Sequence, residues 1–470
     1  MRKVLVWIVA LPLLSTGAVA AYRILARDYR YHELIRAGDR LLAEDQAVEA
    51  SRSYGSAIEL KPEEALAYVK RADAERRQGD LPRALEDVER AGTLSDDVLL
   101  VSSRLAELLY ESDRFDEAAF HYEKVLALVP DSPSILYQLG LTQFRAGRAA
   151  EAIEALNRAA DRKRDFWEAY YLRGAVFLSI RGVDEAESDF RTALDIAPEA
   201  TLAREALVQL YLDRNDPERA LPLVEAEIAT APGNPLPHLR LADVHRLAGR
   251  TAEAIEAVGH ALDADPNLPA AYLRLGELWL DEAGERGDTV AAEKALAALT
   301  TVTKMDPSSG AAALALGRAY LFLGDEEKGF AELRRASQAT PVPAEALRLL
   351  GDLYRARKNP TEAVTAYHVY LKLNGDSPAV LEGLGDAYVE SGNPRMGAEV
   401  YLRLAALEPR RATPLVKAAR AYILGGDRDA AAQTCRRGLA ANPENQALTE
   451  LLAETGGRRA SAVGDPSRLR

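Results

Sequence analysis

Along most of the chain, apolar residues recur with the three-and-four spacing of a helix face. The stretches are short and end at turn signals such as Gly79-Asp80, Gly147, Gly249, Gly324-Asp325 and Gly392-Asn393. This predicts amphipathic helices joined by tight turns, each helix with one face to bury against a neighbour. One segment breaks the pattern. From Val4 to Tyr22 the chain is uncharged throughout, and nothing else in the sequence is as apolar.

The helical pattern also repeats. A frame begun at Tyr31 and stepped by 34 residues gives units starting at 31, 65, 99, 133, 167, 201, 235 and 269. The eighth unit is seven residues longer, the frame resumes at 310, 344, 378 and 412, and it ends at Asn445. Position 8 reads Gly38, Ala72, Ala106, Gly140, Gly174, Val208, Ala242, Gly276, Gly317, Gly351, Gly385 and Ala419, so only Val208 is not small. Position 20 is Ala or Gly in every unit, from Ala50 to Ala431, and position 32 is Pro in nine of twelve. Two antiparallel helices approach closely only over small side chains, which explains positions 8 and 20. Large residues fill the space around them, among them Tyr54, Phe190 and Tyr401 at position 24 and Trp279, Tyr354 and Tyr388 at position 11. Proline at position 32 cannot continue the second helix, so it closes the unit.

In repeat length, in Leu-Gly at positions 7–8, in Tyr at 11, in Ala at 20 and in Pro at 32, the chain resembles the tetratricopeptide repeat family over residues 31–445. The resemblance implies an all-α, right-handed superhelical solenoid of about twelve helix–turn–helix units, with the first helix of each (helix A) lining a concave groove. Residues 446–455 then read as a capping helix, and 456–470, with Arg458, Arg459, Arg468 and Arg470, as a disordered tail. The insertion around Asp281–Thr289 reads as a longer connection between the two helices of unit 8.

Residues 1–22 are an address. Arg2 and Lys3 precede a run close to the roughly 20 residues that cross a bilayer as helix, and the run ends in Ala18-Val19-Ala20, an A-x-A cleavage pattern. The segment is a signal-anchor or a cleaved signal peptide, followed by a juxtamembrane segment at 23–30. The basic n-region favours a membrane-anchored chain with its solenoid outside the cytoplasm, periplasmic or otherwise extracytoplasmic, and secretion after cleavage is the alternative.

Composition narrows the function classes. The net charge of −13 disfavours nucleic acid as a partner, because phosphate binding needs a basic face. One cysteine, Cys435, makes neither an internal disulfide nor a zinc site. His238 and His245 share a helix face but stand roughly 10 Å apart at 1.5 Å per residue, too far for one metal. No G-x-S-x-G, P-loop or H-E-x-x-H motif is present. The reading is therefore non-enzymatic, with no cofactor and no metal.

Groove positions supply the candidate contact residues. In the resembled family these are mainly positions 2, 5, 9, 12 and 13 of helix A. Position 9 is acidic in seven of twelve units: Asp39, Asp73, Glu107, Asp243, Glu277, Asp352 and Asp386. Such a lining predicts a preference for basic protein segments, unless the charges are satisfied locally, as Arg348 and Asp352 could be at i, i+4. Units 3 to 5 differ, presenting Tyr110, Tyr137, Leu141, Phe144, Tyr171, Ala175 and Leu178. Aromatic side chains of this kind form binding hot spots and also stack on sugar rings. The carboxylate-clamp chemistry of chaperone-binding relatives is not expected, because the first three units carry Ile35 and Asp39, Val69 and Asp73, Ser103 and Glu107 where Lys, Arg and Asn would stand. The chain is thus expected to be a protein-binding scaffold of the cell envelope, serving secretion, polysaccharide export or surface assembly. A polysaccharide-binding module and a cytoplasm-facing adaptor are the alternatives.

Overall fold

The computed structural model describes the backbone from Arg2 and the side chains from Tyr22, in both cases through Gly456. The apolar run expected to form the signal-anchor lies, save Tyr22, outside the described side chains, as does all of the expected tail after Gly456. Among the described residues no helix is long and apolar enough to cross a membrane.

The described chain is all-α, a solenoid of 25 helices. Its contacts divide it into two compact units, Met1–Leu223 and Val224–Arg470. In each, helices A and B of a repeat lie antiparallel, as in unit 4 (Pro133–Arg145 and Ala149–Arg162) and unit 11 (Pro378–Glu390 and Pro394–Leu407). The first helix is continuous from Arg2 to Ala43, so residues 23–30 belong to the same helix as helix A of unit 1. This stretch is tied to the end of the second helix, Ala47–Leu60: Arg27 donates to the Leu60 carbonyl at 2.8 Å, and Lys61 pairs with Asp28 at 2.6 Å.

The small residues do what the pattern requires. A Cβ on Gly38, Gly351 or Gly385 would lie 2.4 Å from the ring of Tyr54, Tyr367 or Tyr401, which is position 24 of the same unit. In units 4 and 9 the same space is taken by Leu156 and Leu333. Helix A closes on a left-handed residue in every unit, at position 15 in eleven of them and at Gly287, position 19, in the longer unit 8, because that turn reverses the chain in one step. Glycine supplies it seven times, including Gly79 and Gly392, and Asp45, Asp113, Arg181, Asn215 and Lys358 adopt it elsewhere.

The insertion in unit 8 is not a loop. Helix A runs over Pro269–Arg286 and helix B over Thr289–Met305, with only Gly287 and Asp288 between. Glu282, Ala283, Glu285 and Arg286 are good helix formers that outweigh Gly284, and they are held: Arg286 pairs with Glu282 at 2.6 Å, and Ala283 packs against Ala291 and Ala292. Gly287, at φ 66°, ends the first helix, and the Asp288 side chain caps the second by accepting from the Val290 N–H. After unit 12 a final helix, Gln446–Gly456, buries Leu448 and Leu451 against Leu415, Ala419 and Cys435.

Candidate functional site on the helix A face

Position 9 is not an open acidic lining. Each of its seven carboxylates is engaged within the chain. Asp39 pairs with Lys70 at 2.9 Å, Asp73 with Arg104 at 3.5 Å, Asp243 with Arg274 at 2.8 Å and Asp386 with Lys417 at 2.9 Å. In all four the cation is position 6 of the following unit, so the pair links one helix A to the next. A second set runs from position 12 of the preceding unit: Arg76 to Glu107 at 3.6 Å, Arg246 to Glu277 at 3.8 Å and Arg355 to Asp386 at 3.1 Å. Asp352 pairs within its own helix, with Arg348 at 2.7 Å. The expected preference for basic segments rested on free carboxylates. Here a cation stands beside each of them, supplied by a neighbouring repeat for all but Asp352, and none of the seven is free.

Three of these aspartates have a further task. The hydroxyls of Tyr54, Tyr367 and Tyr401 donate to Asp39, Asp352 and Asp386, at 2.8, 2.5 and 2.5 Å. Burial, then the neighbouring aspartate, holds each phenol protonated well above its ordinary range. Glycine at 8, aspartate at 9 and tyrosine at 24 therefore act together: the glycine admits the ring and the aspartate accepts its hydroxyl. Where position 24 is Leu156, Phe190 or Leu333, position 9 is Leu141, Ala175 or Arg318 instead. Burial raises the Asp73 and Asp243 carboxyls against the pull of Arg104 and Arg274.

Units 4 to 6 interrupt this ladder. Position 6 is Gln138, Leu172 and Ala206, position 9 is Leu141, Ala175 and Gln209, and position 12 is Phe144, Leu178 and Leu212. None carries a charge. Tyr137, Leu141 and Phe144 pack as half-buried side chains on the core formed by Leu136, Leu139, Leu156 and Leu172. Tyr137 lies 5.4 Å from the Phe166 ring, Tyr171 lies 5.9 Å from Phe190, and Tyr110 stands edge-on to Phe115 at 5.5 Å. Tyr110 and Tyr171 are both close enough to Tyr137 to raise its phenol, behind burial and Glu168. The structure thus gathers Tyr110, Tyr137 and Tyr171 into one neighbourhood. Ala175 is half-buried beside them, and Leu178 is 38% exposed. Each ring keeps one side on protein, so these tyrosines are anchored as well as accessible.

Elsewhere, Arg71 clamps the buried Asp87 with two bonds of 2.6 and 2.7 Å, and Arg173 holds the buried Asp189 the same way. Glu75 shares Arg71 at 3.8 Å but leaves one buried oxygen unpaired. Burial, then Asp87, pushes its carboxyl up to about 7.

A family model described as tetratricopeptide repeat matches residues 109–175, and a second of the same description matches 32–97, 171–235, 205–269, 281–342, 327–378 and 383–446. The Protein CTR9 homolog of Arabidopsis thaliana is 23% identical over 321 residues, which cover 66% of this chain and 29% of that protein. Cellulose synthase operon protein C of Pseudomonas fluorescens (strain SBW25) is 22% identical over 476 residues, covering 86% of this chain and 36% of that protein. The chain spans about a third of the length of these two relatives. Among solved structures, the APC/C hetero-tetramer Cut9-Hcn1 aligns at 14% identity and a TM-score of 0.39, over 91% of this chain and 96% of the other.

Proposed function

From a chain that belongs to the tetratricopeptide repeat family, we infer a non-catalytic protein–protein interaction scaffold that takes its partner on the helix A face of units 3 to 5. One observation carries this reading. The charge ladder stops where the tyrosines gather, leaving a partly apolar surface with no charge at positions 6, 9 and 12 of units 4 and 5, with Glu107, Arg145 and Glu168 at its border, on a face whose other acidic position 9 residues are ion-paired. Desolvating that surface costs little, and aromatic rings anchored on one side supply contact area without much loss of rotamer freedom. The partner segment it suits is uncharged and extended, rather than basic.

We place the scaffold at the cell envelope, on the strength of the apolar run from Val4 to Tyr22. The similarity to a cellulose synthase operon protein favours a second reading, in which the same tyrosines bind a polysaccharide chain.

The test is a photo-crosslinking amino acid placed at Tyr137, at Tyr171 or, as control, at Asp39 in the full chain. The reading expects discrete protein adducts from 137 and 171 and none from 39. Equal labelling from all three positions would sink it. Polysaccharide titration that quenches tyrosine fluorescence in the wild type but not in Tyr137→Ala/Tyr171→Ala would move the site to the second reading. A topology reporter after Arg470 that is active only in the cytoplasm would remove the envelope placement.

A further inference from the structure

The other side of the same repeats, formed by helices B, carries an open cleft of about 440 Å³ within the unit Met1–Leu223. Its walls are helix B of unit 3 (Phe115–Leu128) and helix B of unit 4, and its floor is helix A of unit 4. Leu139 on the floor and Leu126 on the first wall make the base apolar. Glu123 stands on one wall, and Glu151 and Glu154 on the other. All three are exposed, and none has an ion pair or hydrogen bond among the described residues. The one cation on the rim, Arg158, leans to the Pro130 carbonyl at 3.4 Å.

Between these walls lies Gln143, at position 11, where later units carry rings such as Tyr354 and Tyr388. Gln143 is 6% exposed, it lines the cleft, and its buried Oε1 has no hydrogen-bond partner. An unpaired buried acceptor costs roughly 1–3 kcal/mol, so the site is improved by a donor that enters it.

We propose that this cleft accepts the guanidinium of an arginine on a protein partner. A guanidinium has five N–H donors in a fixed plane, enough to serve carboxylates on both walls and the amide at once. Its three methylenes lie against the leucine floor. Three unpaired carboxylates against one arginine supply the complementary charge. This is a second site, separate from the helix A face, and its chemistry is the opposite of that neutral surface.

The experiment is ligand-observed saturation-transfer NMR on the full chain with Nα-acetyl-arginine amide, and with the citrulline analogue, which keeps the shape and loses the charge. The arginine probe is expected to bind and the citrulline probe to be silent. Glu151→Gln/Glu154→Gln is expected to weaken arginine binding roughly tenfold, the worth of one charged hydrogen bond. Both side chains are exposed, and unchanged helical circular dichroism checks that the fold is kept. Glu253→Gln/Glu256→Gln, the same repeat positions in unit 7, should leave binding intact. Equal binding of citrulline, or equal losses in both double variants, would overturn the proposal. So would Gln143→Leu binding arginine as well as the wild type.

Discussion

Units 1 to 3 and units 4 to 6 lie on one backbone plan and carry different helix A faces. In units 1 to 3, position 9 is Asp39, Asp73 and Glu107, and each is met by a lysine or arginine of a neighbouring helix A. In units 4 to 6 positions 6, 9 and 12 have no charge, and tyrosines fill the neighbourhood. Identical geometry therefore does not impose identical chemistry. A repeat fixes which positions face each other across 31 residues, and the side chains at those positions decide whether the face is self-satisfied or available.

The largest expected effect sharpens the contrast in packing. Gly38→Ala drives a methyl group to 2.4 Å from the rigid ring of Tyr54, whereas Gly140→Ala meets Leu156 at 2.7 Å, a side chain that can shift. Gly38→Ala should cost about 3 kcal/mol and Gly140→Ala about 1 kcal/mol, read as the drop in unfolding midpoint of the full chain. Next, Asp39→Ala removes the acceptor of both Tyr54 and Lys70 and should cost about 2 kcal/mol. A loss no greater than that of an ordinary surface residue would mean that the ladder is ornamental.

Breaking the neutral surface should cost less stability and more binding. Leu141→Asp places a carboxylate where no cation waits. It should lower stability by about 1 kcal/mol and abolish crosslinking from position 137. The smallest effect concerns position 11, which is Glu75 in the charged stretch and Gln143 in the neutral one. Glu75 titrates at about 7 when folded, against an ordinary value of 4.5. The folded state thus holds its proton longer than the unfolded state does, and folding loses stability as pH rises from about 4.5 to about 7. Glu75→Gln should match the wild type near pH 4 and melt higher at pH 8. Equal midpoints at pH 8 would show that the buried oxygen is better served than its surroundings suggest.

Much of this was legible as columns in the sequence. Small residues at 8 and 20 and proline at 32 located the helix pairs, because those positions report backbone contact directly. The coupling of Asp39, Asp352 and Asp386 to tyrosine at position 24 was equally visible, as a co-occurrence within units 1, 10 and 11. The ladder was harder to see. Asp39 and Lys70 are partners across 31 residues, and the acidic column read alone suggested a groove that wanted cations. The insertion in unit 8 looks like a connection from its length alone; Glu282 and Arg286 at i, i+4 are the signal for helix. The Gln143 cleft left no mark in the sequence, since it depends on three carboxylates finding no partner.

The ion pairs between successive A helices bear on how the repeat array yields to force. Each pair is a clip between neighbouring turns of a spring; units 1 to 3 carry these clips at positions 6, 9 and 12, and the same positions are uncharged in units 4 to 6. Under bending or tension the helix A side is expected to open first in the turns that carry Tyr137 and Tyr171, while Arg148 on Asp116 and Arg214 on Glu187 still tie those units through helix B. Salt screens the clips and evens the spring out.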